Sequence, residues 1–234
     1  MSRNGGQSLR DLKQQGRKRA DALRVRFDDT DDPLGWFDAC YERADGESAL
    51  VPWAHEVARP EFVEWLETLP SERRCGRAVD VGCGLGDNAV ELAKAGFDVT
   101  AFDISETAIR WAAQRFPDYR IDWRTFDLTE PPEDLEAAFD LVNETYTLQI
   151  LQPPYRDLAI RALPHFVKPG GTVLIVGRGR LAHEPVNPPP WPIVPEEFNC
   201  LLDAGLELVS FADFYTDRKG MPVRHFRIEC RRLA

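Results

Sequence analysis

The stretch Ala78-Val79-Asp80-Val81-Gly82-Cys83-Gly84-Leu85-Gly86-Asp87-Asn88 constrains this chain most. A short run of strand-forming residues gives way to three glycines at alternate positions and then to a polar helix start. That order describes a buried strand turning sharply into a helix. Without a Cβ, glycine lets the backbone come within contact distance of a ligand, and the helix N-terminus can face a nucleoside or phosphate. Taken alone, the loop is as easily a tight turn as a binding loop. The next strand, Val99-Thr100-Ala101-Phe102-Asp103, ends in a carboxylate seventeen residues after Gly86. There Asp103 sits at the edge of the same crevice and can accept hydrogen bonds from both hydroxyls of a ribose.

The surrounding rhythm fits a parallel sheet. Strands are expected at Arg77 to Val81, Asp98 to Phe102, Ile121 to Thr125, Phe139 to Asn143 and Thr172 to Val176. Helices are expected near 87 to 95, 106 to 115 and 155 to 167, with stops at Gly96, Pro117 and Pro169. Alternating strands and helices place helices on both faces of a parallel sheet. The end of the chain departs from this pattern. A helix at 195 to 203 leads to Leu206 to Tyr215 and Val223 to Arg232, joined so briefly that the pair must run antiparallel.

With 234 residues, 43% hydrophobic, the chain supports one sizeable core. We expect three segments: a charged, flexible tail over 1–32, a helical cap over 33–74 and a core over 75–234. The tail holds eight Lys or Arg before residue 27 against Asp11 and Asp21, leaving −16 on the remainder of a chain whose net charge is −10. It is expected to be a solvated, partly helical tail or a mobile flap over a substrate. An acidic body opposes phosphate attraction, so a small-molecule substrate is expected rather than nucleic acid. No run of about eighteen apolar residues marks a membrane span. Cys40, Cys75, Cys83, Cys200 and Cys230 are odd in number and scattered, with neither Cys-x-x-Cys nor His at ligand spacing. They read as reduced thiols of a cytoplasmic protein with no metal site, and a monomer is expected.

The glycine order, Gly82-x-Gly84-x-Gly86, differs from the G-x-G-x-x-G of dinucleotide folds. It resembles the first motif of the class I S-adenosylmethionine-dependent methyltransferases, and the resemblance extends over about residues 75 to 232. Asp103 is similar to that family's ribose-binding acid and Phe126-Asp127-Leu128 to its adenine-side segment. Phe139-Asp140-Leu141-Val142-Asn143 is similar to its fourth strand and Lys168-Pro169-Gly170-Gly171-Thr172 to the turn into its fifth. The resemblance implies a Rossmann-like α/β fold: a seven-stranded, mostly parallel sheet with an antiparallel strand inserted at the C-terminal end, under an N-terminal helical cap. It implies S-adenosylmethionine as cofactor and S-adenosylhomocysteine as product. Asp80, Gly82, Cys83, Gly84, Gly86 and Asn88, with Trp53 of the cap, would surround the cofactor, Asp103 and Ile104 holding the ribose. Asp127 and Leu128 would meet the adenine, and Asn143 and Glu144 would line the methionine side. Asp127 also reads as a simple turn residue.

The acceptor is less constrained. A thiol is already a few per cent ionised at pH 7, whereas oxygen acceptors need a placed base. His183, in the loop after the fifth strand, and His55, beside Trp53, are the candidate bases; His165 and His225 read as structural. None of the cysteines is assigned as a nucleophile. Trp36, Phe37, Tyr41, Tyr146, Arg178 and Trp191 are expected to line the acceptor pocket, although the cap aromatics also suit ordinary core packing. Gln152-Pro153-Pro154-Tyr155 is similar to the Asp/Asn-Pro-Pro-Tyr signature of amino-group methyltransferases, but lies nine residues too late and reads as a helix start. Val51-Pro52-Trp53 resembles the Pro-Trp element of thiopurine and thiol S-methyltransferases, with Ala54 where those usually carry Asp. The expectation is a small-molecule thiol methyltransferase. Its rivals are an O- or N-methyltransferase with a His base, a cofactor-binding protein without catalysis, and methylation of RNA or protein through the basic tail.

Overall fold

Gly16, Ala20 and Leu23 form the buried stripe of the first helix, α1 (Leu9–Phe27). In the computed structural model, which describes residues 8–186, 188–217 and 220–233, most of the segment expected to be a flexible tail is therefore folded. The spacing of four and three residues puts these small and apolar side chains on one face, with arginines and lysines covering the rest. Ser8 caps the helix: its hydroxyl accepts from Asp11 N–H at 3.2 Å, and the Asp11 carboxylate accepts from Ser8 N–H at 3.2 Å. A Cβ at Gly16 would fall on the Leu50 carbonyl, so only glycine permits this close approach.

The cap continues with α2 (Trp36–Ala44), a short turn at Ser48–Leu50 and α3 (Pro60–Thr68). Trp36 and Phe37 stack at 4.0 Å, and Trp53 meets both rings edge-on. These aromatics share one buried cluster with Val79, Val142 and Phe166 of the core, so the cap packs on the sheet through apolar contact.

The core alternates β1 (Arg77–Val81), α4 (Asp87–Ala95), β2 (Asp98–Asp103), α5 (Glu106–Arg115), β3 (Ile121–Thr125), β4 (Phe139–Thr145), α6 (Pro153–Phe166) and β5 (Val167–Arg178). A turn at Pro195–Phe198 runs into α7 (Asn199–Asp203), followed by β6 (Leu206–Asp217) and β7 (Pro222–Arg232). The sheet order is β3-β2-β1-β4-β5-β7-β6, and β7 is antiparallel to both neighbours while β1 to β5 are parallel. This is the Rossmann-like sheet expected, with the last strand inserted between β5 and β6.

Two of the boundaries that differ from expectation have a local cause. β4 runs on to Thr145 because Asn143, Glu144 and Thr145 are buried and pair with Leu174, Ile175 and Val176 of β5. β5 begins at Val167, pairing there with Phe139 ahead of a register shift, so the Pro169 stop only irregularises the strand. Pro153 and Pro154 do occupy the first turn of α6, where a missing N–H costs nothing. Among the described residues, no helix is long and apolar enough to cross a membrane.

Candidate functional site

At the C-terminal end of β1 the chain takes left-handed conformations at Gly82 (φ +60°) and Gly84 (φ +53°). A Cβ at Gly82 would collide with the Thr147 side chain, whose hydroxyl donates to the Val81 carbonyl at 3.2 Å. The loop is thus bent tightly over β4 and leaves its open side to a cleft. That cleft is lined by the glycine loop, by the ends of β2 and β3, and by Tyr41 and Trp53 of the cap.

Asp103 closes β2 on the opposite wall. One oxygen accepts from Gly84 N–H and the other from Ser105 N–H, each at 2.9 Å. Burial raises its pKa to about 6, opposed by these two backbone donors. It therefore remains mostly ionised at neutral pH, with lone pairs left over for hydroxyl donors.

Behind the loop, Asn143 donates to Asp80 at 2.7 Å, and Thr145 Oγ donates to Asn143 at 2.9 Å. Glu144 Oε1 accepts from the N–H groups of Thr147 and Leu148 at 2.7 and 3.0 Å, which fixes the turn after β4. Asp80 Oδ2 and Glu144 Oε2 are buried without a hydrogen-bond partner among the described residues. Desolvation pushes Asp80 up to about 7 and Glu144 up to about 8, so Glu144 is largely protonated at neutral pH.

Of the expected cofactor residues, Trp53, Gly82, Cys83, Gly84, Asn88, Asp103, Ile104, Asp127 and Leu128 line this cleft. Asp80, Gly86, Asn143 and Glu144 do not line it. The expectation that Asn143 and Glu144 face the methionine is corrected: both are fully buried, and their side chains hold β4 and its turn from behind. Asp127 is both things at once, lining the cleft while its carboxylate accepts from Thr129 N–H at 2.8 Å. Burial, with Asp103 and Asp80 nearby, raises the Cys83 thiol well above its ordinary value, and burial raises Cys40 to about 12. Neither is a nucleophile. Among the described residues there is no cluster of metal-ligating groups.

A second cavity adjoins the first. Trp53, His55, Arg59, Tyr146 and Ile150 line both and form the boundary between them. Tyr146 follows β4 with φ +69°, its N–H donating to Val176 at 2.8 Å, its ring under the Arg59 guanidinium at 4.8 Å and edge-on to His225 at 5.6 Å. Trp53 Nε1 donates to Tyr41 Oη at 2.8 Å, and Arg59 donates to the Trp53 carbonyl at 3.2 Å.

The expected acceptor residues divide between the cavities. Phe37 and Tyr41 line the first, Trp36 and Arg178 the second, and Tyr146 both. Among the described residues, neither His183 nor Trp191 lines either cavity. His183 is exposed on its loop, beside Glu184, which pairs with Arg224 at 2.8 Å, so it is not placed to act as a base. Trp191 is held outside by Arg156, which donates to its carbonyl at 2.9 Å, and by Arg24 over its ring at 5.7 Å. His165 is structural, 3.1 Å from the Pro132 carbonyl. His225, expected to be structural, lines the second cavity. Arg17, Arg24 and Arg59 line it as well, and sequence reasoning missed them; the one signal for the first two was the small-residue stripe of α1.

This sheet order, with a glycine turn after β1 and an acid closing β2, defines a class I methyltransferase architecture. Residues 78–171 match the methyltransferase domain family. The ubiquinone biosynthesis O-methyltransferase of Bordetella avium is 30% identical over 131 residues, which are 55% of this chain and 53% of that protein. The probable thiol methyltransferase 2 of Arabidopsis thaliana is 28% identical over 188 residues, 75% of this chain and 78% of that protein. The crystal structure of magnesium protoporphyrin IX methyltransferase from Synechocystis PCC 6803, with bound S-adenosylmethionine, superposes with a TM-score of 0.58 at 16% identity and covers 98% of this chain and 99% of that one. Of several curated relatives, the chain spans about half the length.

The residues present fit S-adenosylmethionine. Asp103 offers carboxylate lone pairs to ribose hydroxyls. Ile104, Phe126 and Leu128 give an apolar slot for a flat base, and Gly84 leaves room beneath Tyr41, whose hydroxyl lies 3.1 Å from where a Cβ would stand.

Proposed function

We propose that this protein methylates a small thiol, moving the methyl group of S-adenosylmethionine to sulfur by in-line displacement and releasing S-adenosylhomocysteine and a proton. The cofactor supplies an activated methyl on a sulfonium. What the chain contributes is position. The first cavity holds the nucleoside through Asp103 and the glycine loop, and the second presents the acceptor across the boundary of Trp53, Arg59 and Tyr146. Alignment of this kind contributes about 7 to 11 kcal/mol to lowering a bimolecular barrier. Trp53, packed edge-on against Trp36 and Phe37, gives the boundary an apolar wall.

The observation that carries the reading is this shared boundary between two cavities, with Trp53 of the Val51-Pro52-Trp53 element in it. The similarity to a thiol methyltransferase across three quarters of the chain supports sulfur as the acceptor atom. A thiolate, present at a few per cent near pH 7, needs no base.

One observation favours a second reading: His55 also belongs to the boundary, where it could serve an O- or N-acceptor as base. Incubation with methyl-labelled cofactor and a panel of thiols, phenols and amines, read by mass spectrometry, separates the two. Labelled thioethers support the thiol reading; labelled ethers or methylamines alone overturn it. Tight cofactor binding with no product from any series would leave a binding protein without catalysis.

A further inference from the structure

We propose that the second cavity takes an acceptor bearing a small anionic group, a carboxylate, anchored by Arg178 and Arg24, which line this cavity and not the cofactor cleft. The inference rests on the methyltransferase reading of the first cavity and not on which acceptor atom is methylated.

The cavity is assembled from distant parts of the chain. Arg17 and Arg24 come from α1, Arg178 is the last residue of β5, and His225 of β7 stands opposite Arg178 in the sheet register. Arg178 and Arg24 line this cavity and not the cofactor cleft, so they face the acceptor rather than the cofactor.

Burial decides the sign of the site. Arg24, Arg59 and Arg178 are half-buried, and Glu61 is the half-buried carboxylate among the lining residues. Arg17, Asp21 and Asp217 are exposed at the rim, where water and salt screen them. Among the described residues Arg24 pairs with the exposed Asp28, at 3.6 Å, and lies over the Trp191 ring at 5.7 Å. Arg178 has its backbone N–H fixed by Gln149 Oε1 at 2.7 Å. Among the described residues its guanidinium takes part in no ion pair. A half-buried guanidinium without a partner has lost hydration that a planar carboxylate restores with two parallel hydrogen bonds. The interior excess of positive charge therefore selects an anion, while Trp36, Trp53 and Pro190 accommodate an apolar body.

The test is calorimetric titration of the full chain saturated with S-adenosylhomocysteine, using acids and their methyl esters paired within a thiol, a phenol and an amine series. The expected result is at least tenfold tighter binding of the acid in the series that the enzyme methylates. Arg178→Gln should reduce that preference to under threefold with affinity for S-adenosylhomocysteine unchanged, and Arg178→Lys should restore part of it. Arg24→Gln, on a different element, should also lower the preference, which guards against a folding defect in one variant. Acid and ester bound equally, or a preference that survives both glutamine variants, overturns the proposal. Methylation confined to phenols or amines with the acid preference intact overturns the thiol reading alone.

Discussion

Asp38 of the cap accepts a 2.6 Å hydrogen bond from the Ser105 hydroxyl, and Ser105 N–H in turn donates to Asp103 at 2.9 Å. The same Asp38 oxygen accepts from Thr107 N–H at 3.0 Å, so a cap carboxylate sits at the positive end of α5. The cap and Asp103 are thus parts of one hydrogen-bonded unit. Placing α2 over the cleft also orients Asp103.

Replacing Asp38 with alanine removes two charge-assisted bonds, each contributing about 1.5 to 3 kcal/mol. Thermal unfolding should begin at a clearly lower temperature, and affinity for S-adenosylhomocysteine should fall several-fold; Asp38→Asn should lie between. An unchanged melting temperature together with unchanged affinity would break the link between cap and cleft.

Burial raises Asp103 to about 6, and it is the ionised form that accepts strongly from ribose hydroxyls. Cofactor affinity should therefore be level above pH 7 and decline as pH falls through about 6, approaching tenfold per unit. Titrations between pH 5 and 8 read this directly, and a flat profile contradicts the ribose role.

Glu144 carries a proton in the folded protein up to about pH 8, whereas the unfolded chain releases it near 4.5. Because the folded state binds the extra proton, its stabilising contribution is complete below about pH 4.5 and is lost as pH rises toward 8. Glu144→Gln keeps the acceptor for Thr147 and Leu148 and cannot ionise. Denaturation midpoints measured from pH 5 to 8 should decline less steeply in the variant, with Asp80, raised to about 7, accounting for slope that remains. Equal slopes would mean that Glu144 is already charged in the fold.

His55→Ala should leave turnover of a thiol acceptor within about threefold, since no base is needed. A loss of about 10² or more, the usual scale for a missing general base, would shift the assignment to an oxygen or nitrogen acceptor.

The first half of the sheet, with its glycine turn, was legible because its signals are local. Val79 and Val81 in a buried strand, the glycines after them, Gly96 after α4 and Asp103 at the next strand end all lie within 25 residues. The second cavity was not legible, because it joins Arg24, Arg59, Arg178 and His225 across some two hundred residues, and no sequence period links them. The charge run of the N-terminus, expected to be partly helical but solvated, concealed the packing of that helix: Arg and Lys surround a buried stripe as modest as Gly16, Ala20 and Leu23. The opposite error came at Asn143 and Glu144, where polar residues at a strand end suggested ligand contact but serve to hold the strand from behind. His183 misled for a related reason, since a loop at the carboxyl end of β5 is a favourable address whose side chain nevertheless turns out to be exposed.

The most direct measurement is a calorimetric titration of the protein and its Asp103→Ala variant with S-adenosylhomocysteine. One equivalent bound by the wild-type chain, weakened at least tenfold in the variant, is the predicted result. No binding by the wild type, or equal affinity in both, would contradict the assignment of the glycine turn and Asp103 as the cofactor cradle.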